Sequence, residues 1–134
     1  MTNGLDLDRS VVLRGAGHAL CWIVPLGIAN AVAGARDAGA LVFITFIGIV
    51  VGFAFGGYAV AREPIERPLQ HATAAAVLAF VVVQAVGLVI AVARDTSISV
   101  PGIIVTGLLA ASMGVMGGLL AIKGAGPTGS RRAR

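Results

Sequence analysis

The sequence is poor in charge. Of its 134 residues only 12% are Asp, Glu, Lys or Arg, against about 25% in an ordinary soluble domain. Hydrophobic residues make up 57% of the chain, and the mean hydropathy is +0.96. Such a chain cannot cover a water-facing surface of its own size, which excludes a soluble globular domain and a disordered chain. A single cysteine, Cys21, excludes a disulfide scaffold. Glycine-rich phosphate loops, nucleophile motifs and zinc signatures are all missing. The expectation is therefore a non-enzyme with no cofactor and no metal.

What is there is long apolar sequence. A hydrocarbon core of about 30 Å needs about 20 helical residues. Four uncharged windows meet that length: Gly15–Ala35, Ala38–Ala61, Ala72–Ala93 and Pro101–Ile122. They are continuously apolar, without the alternation of barrel strands. The fold class expected is an all-α integral membrane protein of four transmembrane helices. Short connections, such as Arg36–Asp37, make sequence neighbours antiparallel in an up-down bundle. The domain plan is a cytoplasmic segment 1–14, a four-helix domain 15–122 and a basic, disordered tail 123–134. Arg131, Arg132 and Arg134 draw that tail to anionic lipid.

The few charges orient the chain. Arg9, Arg14, Arg62, Arg67, Lys123, Arg131, Arg132 and Arg134 flank one side, and Arg36 and Arg94 the other. This asymmetry places both termini in the cytoplasm. The same dispersion argues against nucleic-acid binding despite a sequence pI near 10.7, because no basic patch is concentrated on one element. No charged residue lies inside any window, which argues against ion-coupled transport.

The chain reads as two copies of one hairpin. Ala35-Arg36-Asp37 is matched by Ala93-Arg94-Asp95. Gly56-Gly57 before Arg62 is matched by Gly117-Gly118 before Lys123. Both hairpins start and end on the same side, so the repeats would be parallel, related by an axis along the membrane normal. Within them, Gly48, Gly52 and Gly56 form one small-residue stripe, and Ala110, Gly114 and Gly118 another. Spacing of four puts each set on one helix face, where backbones can approach closely. The stripes either pack the second and fourth spans within one chain or form a face for self-association or a partner. Phe43, Phe46, Phe53 and Phe55 fall mainly off the stripe and are expected to face lipid or a partner.

The intramembrane polar residues are Asn30, Thr45, Gln84, Thr106 and Ser112. By depth, Asn30, Thr45 and Thr106 share one level, and Gln84 and Ser112 another. They are expected to join helices by hydrogen bonds, or alternatively to line a pore. Pro25 should kink the first span. His18 and Cys21 share a helix face, but two ligands do not complete a metal or haem site.

The stretch Gly56-Gly57-Tyr58-Ala59-Val60-Ala61-Arg62, followed by Pro68-Leu69-Gln70-His71-Ala72, resembles small bacterial four-helix membrane proteins of actinobacterial type. That resemblance implies a plasma-membrane four-helix protein. The excess of arginine over lysine, with abundant Ala and Val, points the same way. The partners expected are the lipid bilayer and either further copies of the chain or a larger membrane complex. The leading role is a structural or accessory subunit acting through glycine-lined helix packing. The alternative is a homo-oligomeric channel or uncoupled small-solute facilitator.

Ala31-Val32-Ala33-Gly34-Ala35 carries small-x-small triplets like those of a signal-peptidase site. The uncharged window before it is long for a signal peptide, so the first span is expected to be retained. Intact-mass measurement of the membrane-extracted protein should return the uncut chain; a product beginning near Arg36 would contradict the four-span reading.

Overall fold

The structure, a computed structural model, describes residues 7–124. Arg131, Arg132 and Arg134, assigned above to a lipid-binding tail, lie outside the described residues. Four α-helices follow one another: α1 (Arg9–Ala35), α2 (Gly39–Ala61), α3 (Pro68–Ala93) and α4 (Val100–Gly124). The described chain is all-helical, and each helix is long and apolar enough to cross a membrane.

Local chemistry sets the helix ends. α1 begins six residues before its uncharged window because Asp8 caps it. The Asp8 Oδ1 accepts the backbone N–H of Ser10 at 2.9 Å and of Val11 at 3.4 Å, together with the Ser10 hydroxyl at 2.7 Å. Such a cap satisfies donors that have no partner inside the helix. α3 starts at Pro68, whose fixed φ and missing N–H suit a first helical turn. At the other end, α1 and α3 stop in the same way. Asp37 and Asp95 adopt left-handed φ values of 54° and 51°. The N–H groups of Asp37 and Ala38 reach back to Gly34 and Ala33, and those of Asp95 and Thr96 to Val92 and Ala91. Both Arg-Asp pairs are therefore Schellman caps with aspartate where glycine is usual. α1 runs through Pro25 as one continuous helix.

Within each hairpin the helices run in opposite senses. Gly15, Ala19, Ile23 and Leu26 of α1 meet Val60, Gly56, Gly52 and Gly48 of α2. Ala76 and Leu69 of α3 meet Gly114 and Gly118 of α4. α2 and α3 each touch all three other helices, while α1 and α4 make no contact with each other among the described residues. Exchanging the two hairpins would map the α2/α3 contact onto α1/α4, so the helix contacts do not repeat with the sequence.

The core is concentrated at one end. In α3 every buried residue lies between His71 and Ala79, and in α4 between Ala110 and Ala121. α1 and α2 add Val11, Ala16, Ala19, Ile23, Phe53 and Val60 at the same level. This closed end contains the start of α1 and the end of α4. At the opposite, open end the only buried ones among the described residues are Thr45 and Ala33, on α2 and α1, and nothing from Phe80 to Ala93 is buried. Phe53 departs from the sequence expectation. It is 2% exposed and sits in the core with Ile23 and Ala76, while Phe43, Phe46 and Phe55 do face outward. The alanine-rich face of α3 leaves a volume at this level that only a large side chain fills.

Backbone contact closes the bundle. A methyl group on Gly57 would overlap the carbonyl oxygen of Gly114, and one on Gly117 would overlap that of Ala54. Rigid carbonyls cannot move aside as a side-chain tip can, so overpacking here costs at least the usual 1–3 kcal/mol, roughly. By contrast nothing lies within 4 Å of a methyl on Gly27, where alanine should stabilise the helix by about 0.5–1 kcal/mol. Thermal unfolding in detergent should therefore rank Gly117→Ala and Gly57→Ala well below the parent and Gly27→Ala at or above it. Equal tolerance at all three sites would contradict the packing.

Candidate functional site

The two stripes found in the sequence are occupied within the chain. Gly48, Gly52 and Gly56 lie against Leu26, Ile23 and Ala19 of α1. Gly114 and Gly118 lie against Ala72, Ala76 and Leu69 of α3, and Ala110 is fully buried beside them. Of the two readings of the stripes, packing within one chain is the one these contacts match. One stripe does not pack on the other. α2 meets α4 through a second small-residue face, Ala54 and Gly57 against Gly114 and Gly117, which the stripe pattern alone did not reveal.

The polar residues pair differently from their depths. Asn30 Nδ2 donates to Thr45 Oγ1 and to the Val42 carbonyl, both at 2.8 Å, and Thr45 donates to Leu41 at 2.8 Å. That is the one interhelical pair expected from depth that forms, and it ties α1 to α2 near the open end. Thr106 is not part of it. Its hydroxyl donates to the Gly102 carbonyl of its own helix at 2.8 Å. Ser112 is exposed and donates to Leu108, so it does not meet Gln84. Depth sets the level of a residue along the bundle but not the side of the helix it occupies.

Two clefts flank the open half of α3. Between α1 and α3 is an apolar groove of about 400 Å³, bordered by Val24, Ile28, Val82, Val86 and Ile90 among others. Between α3 and α4 is a crevice of about 320 Å³ whose lining includes Gln84, Ser97, Ser99 and Thr106. Gln84 and Thr106, assigned to different levels by sequence, share this crevice.

His18 and Cys21 are exposed on α1. The His18 Nδ1 is 2.8 Å from the carbonyl oxygen of Arg14, one turn back. No cluster of three or more metal-ligating side chains occurs among the described residues. Trp22 stacks on Phe55 with centroids 5.4 Å apart, a cross-helix contact between α1 and α2.

His71, to which sequence reading assigns no role, is the most constrained polar group among the described residues. It is 4% exposed. Its Nε2 accepts the backbone N–H of Asp8 at 2.8 Å, and its Nδ1 donates to the Arg67 carbonyl at 2.9 Å. With Nε2 accepting that N–H, Nδ1 is the ring's donor. The pairing also pins the start of α1 to the start of α3. The Asp8 carboxyl is exposed. Hydrogen bonds from the Ser10 hydroxyl and then from the Ser10 and Val11 N–H groups hold it below the ordinary carboxylate range. The stability this cap contributes is therefore present above about pH 3.9, the ordinary Asp value, and is lost as pH falls through the lowered one. Nearby, Arg14 and Glu63 form an exposed ion pair at 2.8 Å, and Arg62 lies over the Tyr58 ring. A signal for the His71 contact does exist in the sequence: a histidine one turn inside a Pro-started helix, at the level of an Asp-capped one.

The fold and composition together define a class, the multi-pass membrane four-helix bundle. No family model, no curated protein and no solved structure matches the chain.

Replacing His71 with alanine removes the acceptor of the part-buried Asp8 N–H, a net loss of about 0.5–1.5 kcal/mol. The expected result for His71→Ala is a lower unfolding temperature with α1 fraying from its start, read by hydrogen exchange at residues 10–14. An unchanged temperature and unchanged exchange would contradict the role given to His71.

Proposed function

We propose that the chain is a small non-enzymatic integral membrane protein that serves as a structural or accessory subunit, in a homo-oligomer or a larger membrane complex. It sits in a bacterial plasma membrane as an up-down bundle of two parallel, duplicated hairpins, and its closed end and both termini are cytoplasmic. The distribution of Arg and Lys supports that orientation. The agreement of the two Schellman caps, which fall at equivalent places in the two hairpins, supports the duplication. The resemblance to small bacterial four-helix membrane proteins supports the location.

The observation that carries the subunit reading is the thinly covered open half of α3. From Phe80 to Ala93 it buries no residue, although the same helix packs tightly against its neighbours over its first three turns. Among the described residues the connections between helices are short, so this thinly covered helix face within the bilayer is the surface left for association. The glycine-lined packing builds the subunit, and the association surface lies elsewhere.

A second reading, a homo-oligomeric channel or uncoupled small-solute facilitator, draws on the α3/α4 crevice and its Gln84. Within one chain the helices close on one another by backbone contact at the closed end, so a conducting path would belong between chains. Detergent-free native extraction followed by mass analysis separates the two. A stoichiometric foreign partner supports the subunit. A pure homo-oligomer that conducts in liposomes, with conduction lost on Gln84→Leu, supports the channel. A monomer that neither conducts nor binds contradicts both.

A further inference from the structure

Gln84 breaks a pattern that the other intramembrane polar groups obey. Asn30 and Thr45 bond to each other and to backbone carbonyls. Thr73, Thr106 and Ser112 each donate to the carbonyl four residues back in their own helix. The Gln84 carboxamide, with two donors and one acceptor to satisfy, makes no hydrogen bond among the described residues. Hydrocarbon offers it nothing, and an unsatisfied amide there is costly. Its partner must come from beyond the described residues.

Its surroundings identify that partner. Gln84 lines the α3/α4 crevice, whose other polar groups are Thr106, Ser99 and Ser97. They extend from the α3–α4 connection at the open end toward Gln84. Thr106 and Ser99 spend one contact each on the α4 backbone near Gly102 and keep hydroxyl lone pairs for a guest. The inner limit is closed by the ring of Phe80 packed on Gly107, with ring carbons 3.1 and 3.3 Å from where a side chain there would begin. On the other side of α3 the α1/α3 groove has comparable size and an entirely apolar set of side chains, as an acyl chain requires.

We propose that the α3/α4 crevice is a blind, water-filled vestibule. It enters from the open end, along Ser97, Ser99 and Thr106, and terminates at Gln84 near the middle of the membrane. Water is the occupant that supplies both the acceptors and the donor the carboxamide lacks, and about 320 Å³ holds several molecules, at roughly 30 Å³ each. The two clefts beside α3 therefore divide by solvent, one wet and one lipid-filled.

Thiol accessibility tests the division, because only a hydrated thiol ionises and reacts. In a Cys21→Ser background of the full chain in liposomes, single cysteines are placed at Gln84, at Thr106 and at Val86. Val86 stands two residues from Gln84 but borders the apolar groove and is 56% exposed. A charged, membrane-impermeant methanethiosulfonate is added from the side of the α3–α4 connection. Gln84→Cys and Thr106→Cys should be modified about ten-fold or more faster than Val86→Cys. Equal rates at the three sites would overturn the vestibule. So would a Gln84→Cys protein that cross-links to a second chain instead of reacting, since the crevice would then hold protein. If Gln84→Cys does not fold, Thr106→Cys against Val86→Cys decides the matter by the same criterion.

Discussion

The fold depends on how close two helix backbones can come where there is no hydrophobic drive between them. In a bilayer the surrounding tails are as apolar as the side chains, so association rests on contact and on the few hydrogen bonds available. Here that contact is made by atoms of the main chain. The carbonyl oxygens of Gly114 and Ala54 occupy the space that side chains on Gly57 and Gly117 would need. Gly15 and Gly56 do the same between α1 and α2, where a methyl on Gly56 would come within 2.9 Å of the Gly15 carbonyl. Every other element is arranged around these approaches. The alanine face of α3 lies over the junction, and Phe53 and Ile23 fill the volume it leaves.

Close approach at one end has a consequence at the other. Straight helices held by small residues near one end separate toward the opposite end unless larger side chains or loops hold them. The α1/α2 hairpin is held there by Asn30, Thr45 and Ala33. α3 has no equivalent, so it stands between two clefts. The asymmetry of the bundle is therefore a direct result of where the glycines and alanines stand. In α4 the Gly114, Gly117 and Gly118 cluster lies in the second half, and in α3 the run from Ala72 to Ala79 lies in the first. Because these two helices run in opposite senses, both clusters fall at the same end.

Much of this was legible in the sequence, at the level of elements. The ends at Ala35, Ala61 and Ala93 coincide with the ends of uncharged windows because the next residue in each case is an arginine. The starts of α1 and α3 were not legible from hydropathy, because Asp8 and Pro68 initiate helix by hydrogen bonding and ring geometry, independently of apolar character. The stripes were visible, but their partners were not. A face of small residues says that something approaches closely, and only the three-dimensional arrangement says that α1 covers one stripe and α3 the other. The same limit explains Thr106 and Ser112, which were placed at the correct depth and joined to the wrong residues. Phe53 was misjudged because its neighbours in sequence face outward, while its own position is set by an alanine gap in another helix.

The central claim is that the backbone approach of α2 to α4 is made within a single chain. Solid-state NMR in lipid bilayers tests this directly, on chains carrying ¹³C at glycine and alanine and diluted in unlabelled chains. The account predicts cross-peaks between Gly57 and Gly114 and between Ala54 and Gly117 whose intensity per labelled chain survives dilution. Cross-peaks that fade on dilution would place the contact between chains, and their absence at any dilution would remove the contact on which the fold is built.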